Sequence, residues 1–398
     1  MILALLPLVY YLLSLFCVIT YFRGVREASV PKVPFMPSAS IVKPVRGLDH
    51  QAYENFASFC RLDYPEYEVL FAVSDNDGQV CTVIKKLRAE FPACSIRVIT
   101  DVPCLGTNDK VNNLCQLVQD AKYDFIVMSD SDVRVEPDYL RQVIAPFADP
   151  EVGAVTAFFK SLNVGNLASS LGALGMYMDS APAALVAKKI EGNMRFAFGW
   201  TMATSKRHLA EIGGWKEMAN YHSDDFELGR RIARCGHRVE LMATPVSMVF
   251  PEETLAKYFS RELRWSIGLR SVRPLGYWGL AFTHGLPWAL VAAAAAISIN
   301  STALAVTYLV SYLILRGGLT WTVGNWGIAD RNLRKILWLV PLHDAINFVI
   351  WFLGFFSNKI RWRGLTYSVK YGQLIPIPSH SHATAPRPKS ISTVVSKA

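Results

Sequence analysis

Two apolar runs in the middle of this 398-residue chain end in carboxylates, and this constrains the fold more than any other feature. Residues 69–73 lead into Ser74-Asp75-Asn76-Asp77-Gly78, and residues 125–128 lead into Ser129-Asp130-Ser131-Asp132. Further short β-rich runs occur at 39–42, 96–99 and 152–158, with helix-like stretches such as 79–90 and 110–121 between them. Continuous apolar runs suit strands covered on both faces. Their alternation with helices predicts an α/β layer with a largely parallel sheet over about residues 36–275. Ligands of such sheets bind outside the carboxyl ends of the strands, which is where these acids fall.

Apolar segments bracket this layer. Residues 1–22 carry no charge and are long enough to span a bilayer core of roughly 30 Å. They lack the basic start and small-residue cleavage site of a signal peptide. Arg23, Arg26 and Lys32 follow, which puts the C-terminal side of the helix in the cytosol. With 52% hydrophobic and 18% charged residues, the composition leans toward a membrane protein. Candidate spans after Arg273-Pro274 are 281–299, 302–316 and 335–356, making a C-terminal membrane region over 281–356. Three spans would leave the C-terminus outside, whereas Lys359, Arg361, Arg363 and Lys370 favour the inside; a re-entrant or interfacial segment near 318–330 would reconcile the two. His343 and Asp344 lie within the last span, where polar groups are costly unless paired, so they are either functional or a hydrogen-bonded pair. Residues 373–398, rich in Pro, Ser, His and Thr, read as a disordered tail, with His380 and His382 solvated in it. Seven cysteines without a Cys-x-x-Cys pair read as reduced thiols on a cytosolic domain. The net charge of +9 is not gathered into one basic tract, so anionic lipid and a diphosphate substrate explain it better than nucleic acid. Asn300-Ser301-Thr302 is a formal glycosylation sequon that identifies no secretory compartment.

The motifs between these segments carry chemistry. Asp130 and Asp132, two positions apart past a strand end, can hold a hard cation such as Mg²⁺ or Mn²⁺, which would neutralise charge on a departing diphosphate. Asp75 can accept hydrogen bonds from a base or ribose, although a strand-exit turn also explains it. Ser223-Asp224-Asp225-Phe226-Glu227 opens a helix that ends near Gly236. Asp224 with Glu227 reads as a cap and its capping-box partner, leaving Asp225 in the first turn, where the helix dipole favours its ionised form and suits a general base. Arg261-Glu262-Leu263-Arg264-Trp265 puts two guanidinium groups on one helical face, able to clamp phosphate, with Trp265 as a pocket wall; a basic, aromatic interface belt is the alternative. Lys110 can reach a phosphate or belong to a solvated helix start. The apolar segment 168–186 reads as a buried helix, or one that dips into the interface and lines lipid access.

Together these residues resemble the ceramide glucosyltransferase family. The likeness rests on the stretches 40–49, 62–70, 109–114 and 129–135, on Ser223-Asp224-Asp225-Phe226, and on Arg-x-x-Arg-Trp at 261–265. It implies a GT-A fold with N- and C-terminal transmembrane helices, a UDP-sugar donor, Mg²⁺ or Mn²⁺, and inversion at the anomeric carbon. It assigns nucleotide contact to Asp75 and metal–diphosphate contact to Asp130, while the residues themselves add Lys110 as a donor-phosphate contact and Asp132 as a second metal ligand. Asp225 would be the base, and Arg261, Arg264 and Trp265 the closing motif. The expected reaction moves glucose from UDP-glucose to the primary hydroxyl of ceramide, at a membrane with the catalytic domain cytosolic, the bacterial inner membrane ahead of the Golgi. The chain departs from the family in Asp224-Asp225 for Glu-Asp, Asn108-Asp109-Lys110 for Asn-Pro-Lys, and the added Asp132. Bacterial hopanoid glycosyltransferases using UDP-N-acetylglucosamine look similar. A processive polysaccharide synthase and a non-catalytic membrane scaffold are the remaining alternatives.

Overall fold

The computed structural model describes residues 1–27, 35–73 and 78–378. Helix α1 (Leu5–Glu27) precedes β1 (Ala39–Val45), α2 (Ala52–Cys60), β2 (Tyr67–Val73), α3 (Gly78–Glu90), β3 (Ser95–Ile99), α4 (Asp109–Asp120) and β4 (Phe125–Ser129). The chain continues through β5 (Val133–Arg134), α5 (Tyr139–Ile144), β6 (Val152–Thr156), β7 (Phe159–Asn163), α6 (Leu167–Gly175), α7 (Ala181–Glu191), β8 (Thr201–Ser205), α8 (Lys206–Glu211), α9 (Asp224–Arg234), β9 (Arg238–Leu241) and β10 (Val246–Val249). Then come α10 (Leu255–Val272), α11 (Pro274–Gly279), α12 (Gly285–Ser298), α13 (Thr302–Trp321), α14 (Leu333–Ile336) and α15 (Val340–Leu353). Three strands follow, β11 (Lys359–Trp362), β12 (Leu365–Lys370) and β13 (Gln373–Pro376).

The main sheet has seven strands in the order β3-β2-β1-β4-β8-β6-β9. β1 is parallel to β2 and β4, β2 is parallel to β3, and β8 runs antiparallel to both β4 and β6. The chain winds outward from β1 to β3 and then returns to the other side of β1 as β4. This reversal is a topological switch point, and the crevice outside the ends of β1 and β4 is where such sheets hold ligands. A second sheet, β5-β10-β7, holds the segment after β4: the Val249 amide donates to the Asp132 carbonyl at 2.9 Å.

The expected apolar runs all become strands, and in two of them the difference of extent has a structural reason. β1 runs past residue 42 through Lys43 and Pro44. Pro44 is tolerated in this interior strand because β4 pairs only with residues 39–42, so no ladder on that side needs its missing N–H. The run 152–158 divides, because β6 stops at Thr156 and Phe159 starts β7 in the second sheet.

Three helices are long and apolar enough to cross a membrane, Ile2–Glu27, Thr302–Gly327 and Leu333–Leu353, and Pro274–Phe282 with Gly285–Ser298 would be a fourth, bent by 47°. Within segment 318–330, expected to be re-entrant or interfacial, a π turn over Thr322–Gly327 continues the α13 helix, so the chain does not turn back there. The charge at Arg316 does not end that helix, because its guanidinium is fully buried and donates to Asp344 Oδ1 at 2.8 Å, Asp179 Oδ1 at 3.0 Å and the Met178 carbonyl at 2.8 Å. Asp344 also accepts from the Leu286 amide at 2.8 Å, and Asn347 donates to Asp179 Oδ2 at 3.0 Å. His343 and Asp344 are thus members of a satisfied polar network that ties α12, α13 and α15 to a π turn, Met176–Ser180, within segment 168–186.

Helices α1 and α13 run side by side in one direction, since Tyr308 bonds the Met1 carbonyl and Arg26 bonds that of Trp326. The tight turn at Asn300-Ser301 reverses the chain between α12 and α13. After α13, Asp330 accepts from the Ser161 amide at 2.6 Å, so the chain is back against the α/β layer. Leu333–Leu353 therefore starts at that layer, and it also ends there, because β11–β13 dock on the layer: the His222 amide donates to the Gly372 carbonyl at 2.8 Å and the Leu374 amide to the Asn220 carbonyl at 2.7 Å. Residues 373–376, expected in a disordered tail, are strand β13; residues 379–398, with His380 and His382, lie outside the described part.

Candidate active site

The end of β4 delivers Asp130 into the crevice, and the start of α4 delivers Lys110 from the other side. Lys110 Nζ lies 2.8 Å from Asp130 Oδ1 and 3.6 Å from Asp224 Oδ2. It also reaches the Gly199 carbonyl at 3.4 Å. Lys110 is therefore a hub joining the β4 motif to the α9 motif, not a solvated helix start. Burial opposes its charge, but Asp130, Asp224 and Asp225 outweigh it and hold the ammonium well above the usual lysine range.

Ser223 occupies the cap position of α9, and the expected capping box is not formed. Glu227 instead turns to Arg230 at 2.6 Å and Arg231 at 3.4 Å. That releases Asp224 to face Lys110. Asp225, in the first turn, accepts from the Phe226 amide at 2.7 Å. Burial, and then the neighbouring Asp224, push Asp225 up to about 6, while Lys110 pulls it down. Its proton affinity is thus poised for acid–base work near neutral pH. Gly199 closes the floor: a Cβ there would stand 3.1 Å from Asp225 Oδ2 and 3.3 Å from Lys110 Nζ.

Beneath the Asp130–Asp132 turn lies Lys43, fully buried in β1. Its Nζ donates to the Asp130 carbonyl at 2.9 Å and stands 3.7 Å from the centre of the Phe59 ring. Burial lowers its pKa to about 7, against the pull of Asp130, Asp132 and Asp49. Ser131 bonds Asp49, so three carboxylates gather here. Burial, then Asp130 and Asp49, push Asp132 up to about 7, and its Oδ1 is buried without a hydrogen-bond partner. Crowded carboxylates with an unmet buried oxygen fit a hard divalent cation, which Asp130 and Asp132 would hold. Lys43 and Asp49 were not singled out from the sequence; the signal was the lysine inside an otherwise apolar strand.

The arginine motif forms a separate group on α10. Arg261 is ion-paired with Glu253 and Glu262 and packs beneath Gly172. Its charge is thus already compensated, which the sequence could not reveal. Arg264 has no carboxylate within 4.0 Å among the described residues and lies 5.6 Å from the Trp362 ring centre. Trp265 is 50% exposed. Gly268, on the same helix, packs against His222, whose ring lies 5.7 Å from that of Trp362. Arg264 thus approaches the turn before Asp224, with burial and Arg264 lowering the His222 pKa to about 4. Asp75 lies outside the described residues.

The topology, the carboxylate-bearing strand end and the apolar helices define a membrane-associated transferase of the GT-A fold class. Over residues 1–375 the chain matches the description "Glycosyl transferase family 21", and it belongs to that family. It is 26% identical over 236 residues, 58% of this chain and 50% of the other, to ceramide glucosyltransferase 3 of Caenorhabditis elegans. It is 23% identical over 233 residues, 58% of this chain and 47% of the other, to the beta-monoglucosyldiacylglycerol synthase of a Synechocystis strain. The chain thus spans about half the length of the curated relatives it matches. Among solved structures, a mannosyltransferase of Pyrobaculum calidifontis in complex with GDP-Man and Mn²⁺ superposes with TM-score 0.51 at 16% identity, covering 88% of this chain and 98% of the other. That likeness extends to the fold.

Proposed function

We propose that this protein transfers glucose from UDP-glucose to a lipid primary hydroxyl, ceramide being the leading acceptor, with inversion at the anomeric carbon. The observation that carries the reading is the convergence of Asp130, Asp224 and Asp225 around Lys110 at the end of β4. The curated relatives bear names that pair glucose with a lipid alcohol, ceramide or diacylglycerol. α10, which packs against the apolar α15, would be where an acceptor head group meets the crevice.

In this reading Asp225 accepts the proton of the acceptor hydroxyl as that oxygen attacks the anomeric carbon in a single displacement. Base catalysis of this kind contributes about 10²–10⁴-fold. Lys110 keeps Asp225 ionised and orients Asp130, while Arg264, lacking a carboxylate partner, offers its guanidinium to the leaving diphosphate. A divalent cation on Asp130 and Asp132 would supply electrostatic neutralisation of that diphosphate. Asp75 would contact the nucleotide, and Trp265 the acceptor or sugar. Arg23 and Arg26 in the last turns of α1, with Lys32 beyond it in the sequence, support a catalytic layer on the cytosolic face.

The test is to offer the detergent-solubilised protein UDP-glucose or UDP-N-acetylglucosamine with ceramide, diacylglycerol or a hopanoid polyol, plus Mg²⁺ or Mn²⁺. Lipid products are read by mass spectrometry. Glucosylceramide is expected; a different glycolipid would replace the substrate assignment, and no glycolipid from any pair would sink the reading.

A further inference from the structure

A second group of ligand-type side chains lies at the opposite edge of the main sheet from the catalytic crevice. Ser205 pairs with Phe125, at the start of β4, while Thr201 pairs with Ser129 at its end. α8 leaves from Ser205, and β9 begins at Arg238 beside Val152, the start of β6. Three residues meet at this edge: His208 and Glu211 on α8, and His237 just before β9. One ligand atom from each falls within 4.8 Å of the other two. His237 Nε2 stands 2.6 Å from Glu211 Oε2, and the two imidazole rings are 4.4 Å apart.

We propose that His208, Glu211 and His237 form a binding site for a divalent transition metal such as Zn²⁺, distinct from the hard-cation position at Asp130 and Asp132. Two imidazoles and one carboxylate are the donor set that Zn²⁺ accepts, with a fourth position left to water. The hydrogen bonds fix the ring state that a ligand needs. Arg207 Nη2, which can only donate, lies 2.9 Å from His208 Nε2, so that nitrogen carries its lone pair outward. The other nitrogen, Nδ1, is then the protonated one, 2.9 Å from Ser205 Oγ. A ligating histidine commonly has its second nitrogen anchored in this way. His208 is buried, which holds the ring, whereas Glu211 and His237 are partly exposed and leave a route from solvent.

Arg207 occupies the place of the cation. Its side chain is 66% exposed and reaches both His208 and Glu211, the latter at 3.6 Å. A metal entering the site takes over those lone pairs and swings Arg207 into solvent. The bound metal clips α8 to the turn between α9 and β9. Gly153 packs against the His237 Cβ from below and sets the height of the ring.

The experiment uses the full chain in detergent, stripped with a chelator and titrated with Co²⁺ and Zn²⁺ alone. The wild type should develop the visible absorption of Co²⁺ bound to nitrogen and oxygen donors at low coordination number, and Zn²⁺ should abolish it. His208→Gln and His237→Gln should weaken binding by more than about tenfold, since even outer-shell partners contribute 10–100-fold. Arg207→Ala should tighten binding, a gain that misfolding cannot mimic. The proposal is overturned if the band persists in His237→Gln, or if neither the wild type nor Arg207→Ala binds. None of these readouts depends on sugar transfer, so this inference and the proposed reaction stand or fall separately.

Discussion

Lys110 and Asp130, from different elements and 20 positions apart in the chain, are joined by a 2.8 Å ion pair at the mouth of the crevice. The same ammonium lies 3.6 Å from Asp224 Oδ2, so one lysine bridges the strand-end motif and the start of α9.

Removing that charge should move a titration. Lys110 lowers the pKa of Asp225, so Lys110→Gln should shift the acidic limb of kcat/KM above its wild-type position. A pH–rate profile of the variant checks this; an unmoved limb would show that Lys110 does not control Asp225.

In the wild type, Asp225 has a raised pKa of about 6, so it is protonated below that pH and cannot accept a proton. Glycolipid formation should therefore fall about tenfold per pH unit below pH about 6 and level off above it. Asp225→Asn should lose roughly 10²–10⁴-fold in turnover while still binding UDP. Wild-type turnover in this variant would remove Asp225 from the base position.

Arg316 is fully buried between Asp344 and Asp179, so Arg316→Met leaves two carboxylates without their partner. Breaking a buried pair from one side costs about 3–5 kcal/mol. Thermal unfolding in detergent should show a clear loss, and Arg316→Met combined with Asp344→Asn should recover part of it. Additive losses would mean that the two side chains are not coupled.

The chain leaves and rejoins the α/β layer twice after α10, once through the α12–α13 hairpin and once through Leu333–Leu353. Only the first excursion should cross the membrane. In a chain whose exposed Cys104 and Cys235 are replaced by serine, Tyr371→Cys should react with an impermeant maleimide from the side of the catalytic layer. Ser301→Cys should react from the other side. Labelling of both from one side would refute this topology.

The α/β alternation, the placement of Asp130 at a strand end and the α10 arginine motif were legible because they are local: apolar runs, turn acids and spacing carry them. The GT-A expectation and the membrane helices followed. What was not legible depended on partners distant in the chain. Asp224 looked like a cap because the lysine that claims it lies on α4. Arg261 looked free because Glu253 and Glu262 could equally have faced solvent. β8 escaped notice because Thr201, Thr204 and Ser205 dilute its apolar character, although the strand is buried between β4 and β6. β13 was hidden by prolines that suit an edge strand as well as a tail.

The docking of β13 also bears on the order in which this region is completed during synthesis. Asn220 and His222, just ahead of the Asp224-Asp225 pair, are held by Leu374 and Gly372, which leave the ribosome only after α12, α13 and α15 have been made. The turn ahead of Asp224-Asp225 therefore gains these bonds only after about 150 further residues have been made. A nascent chain stalled after α15 lacks both bonds, so the turn ahead of Asp224-Asp225 is not yet held in the position it takes in the folded protein.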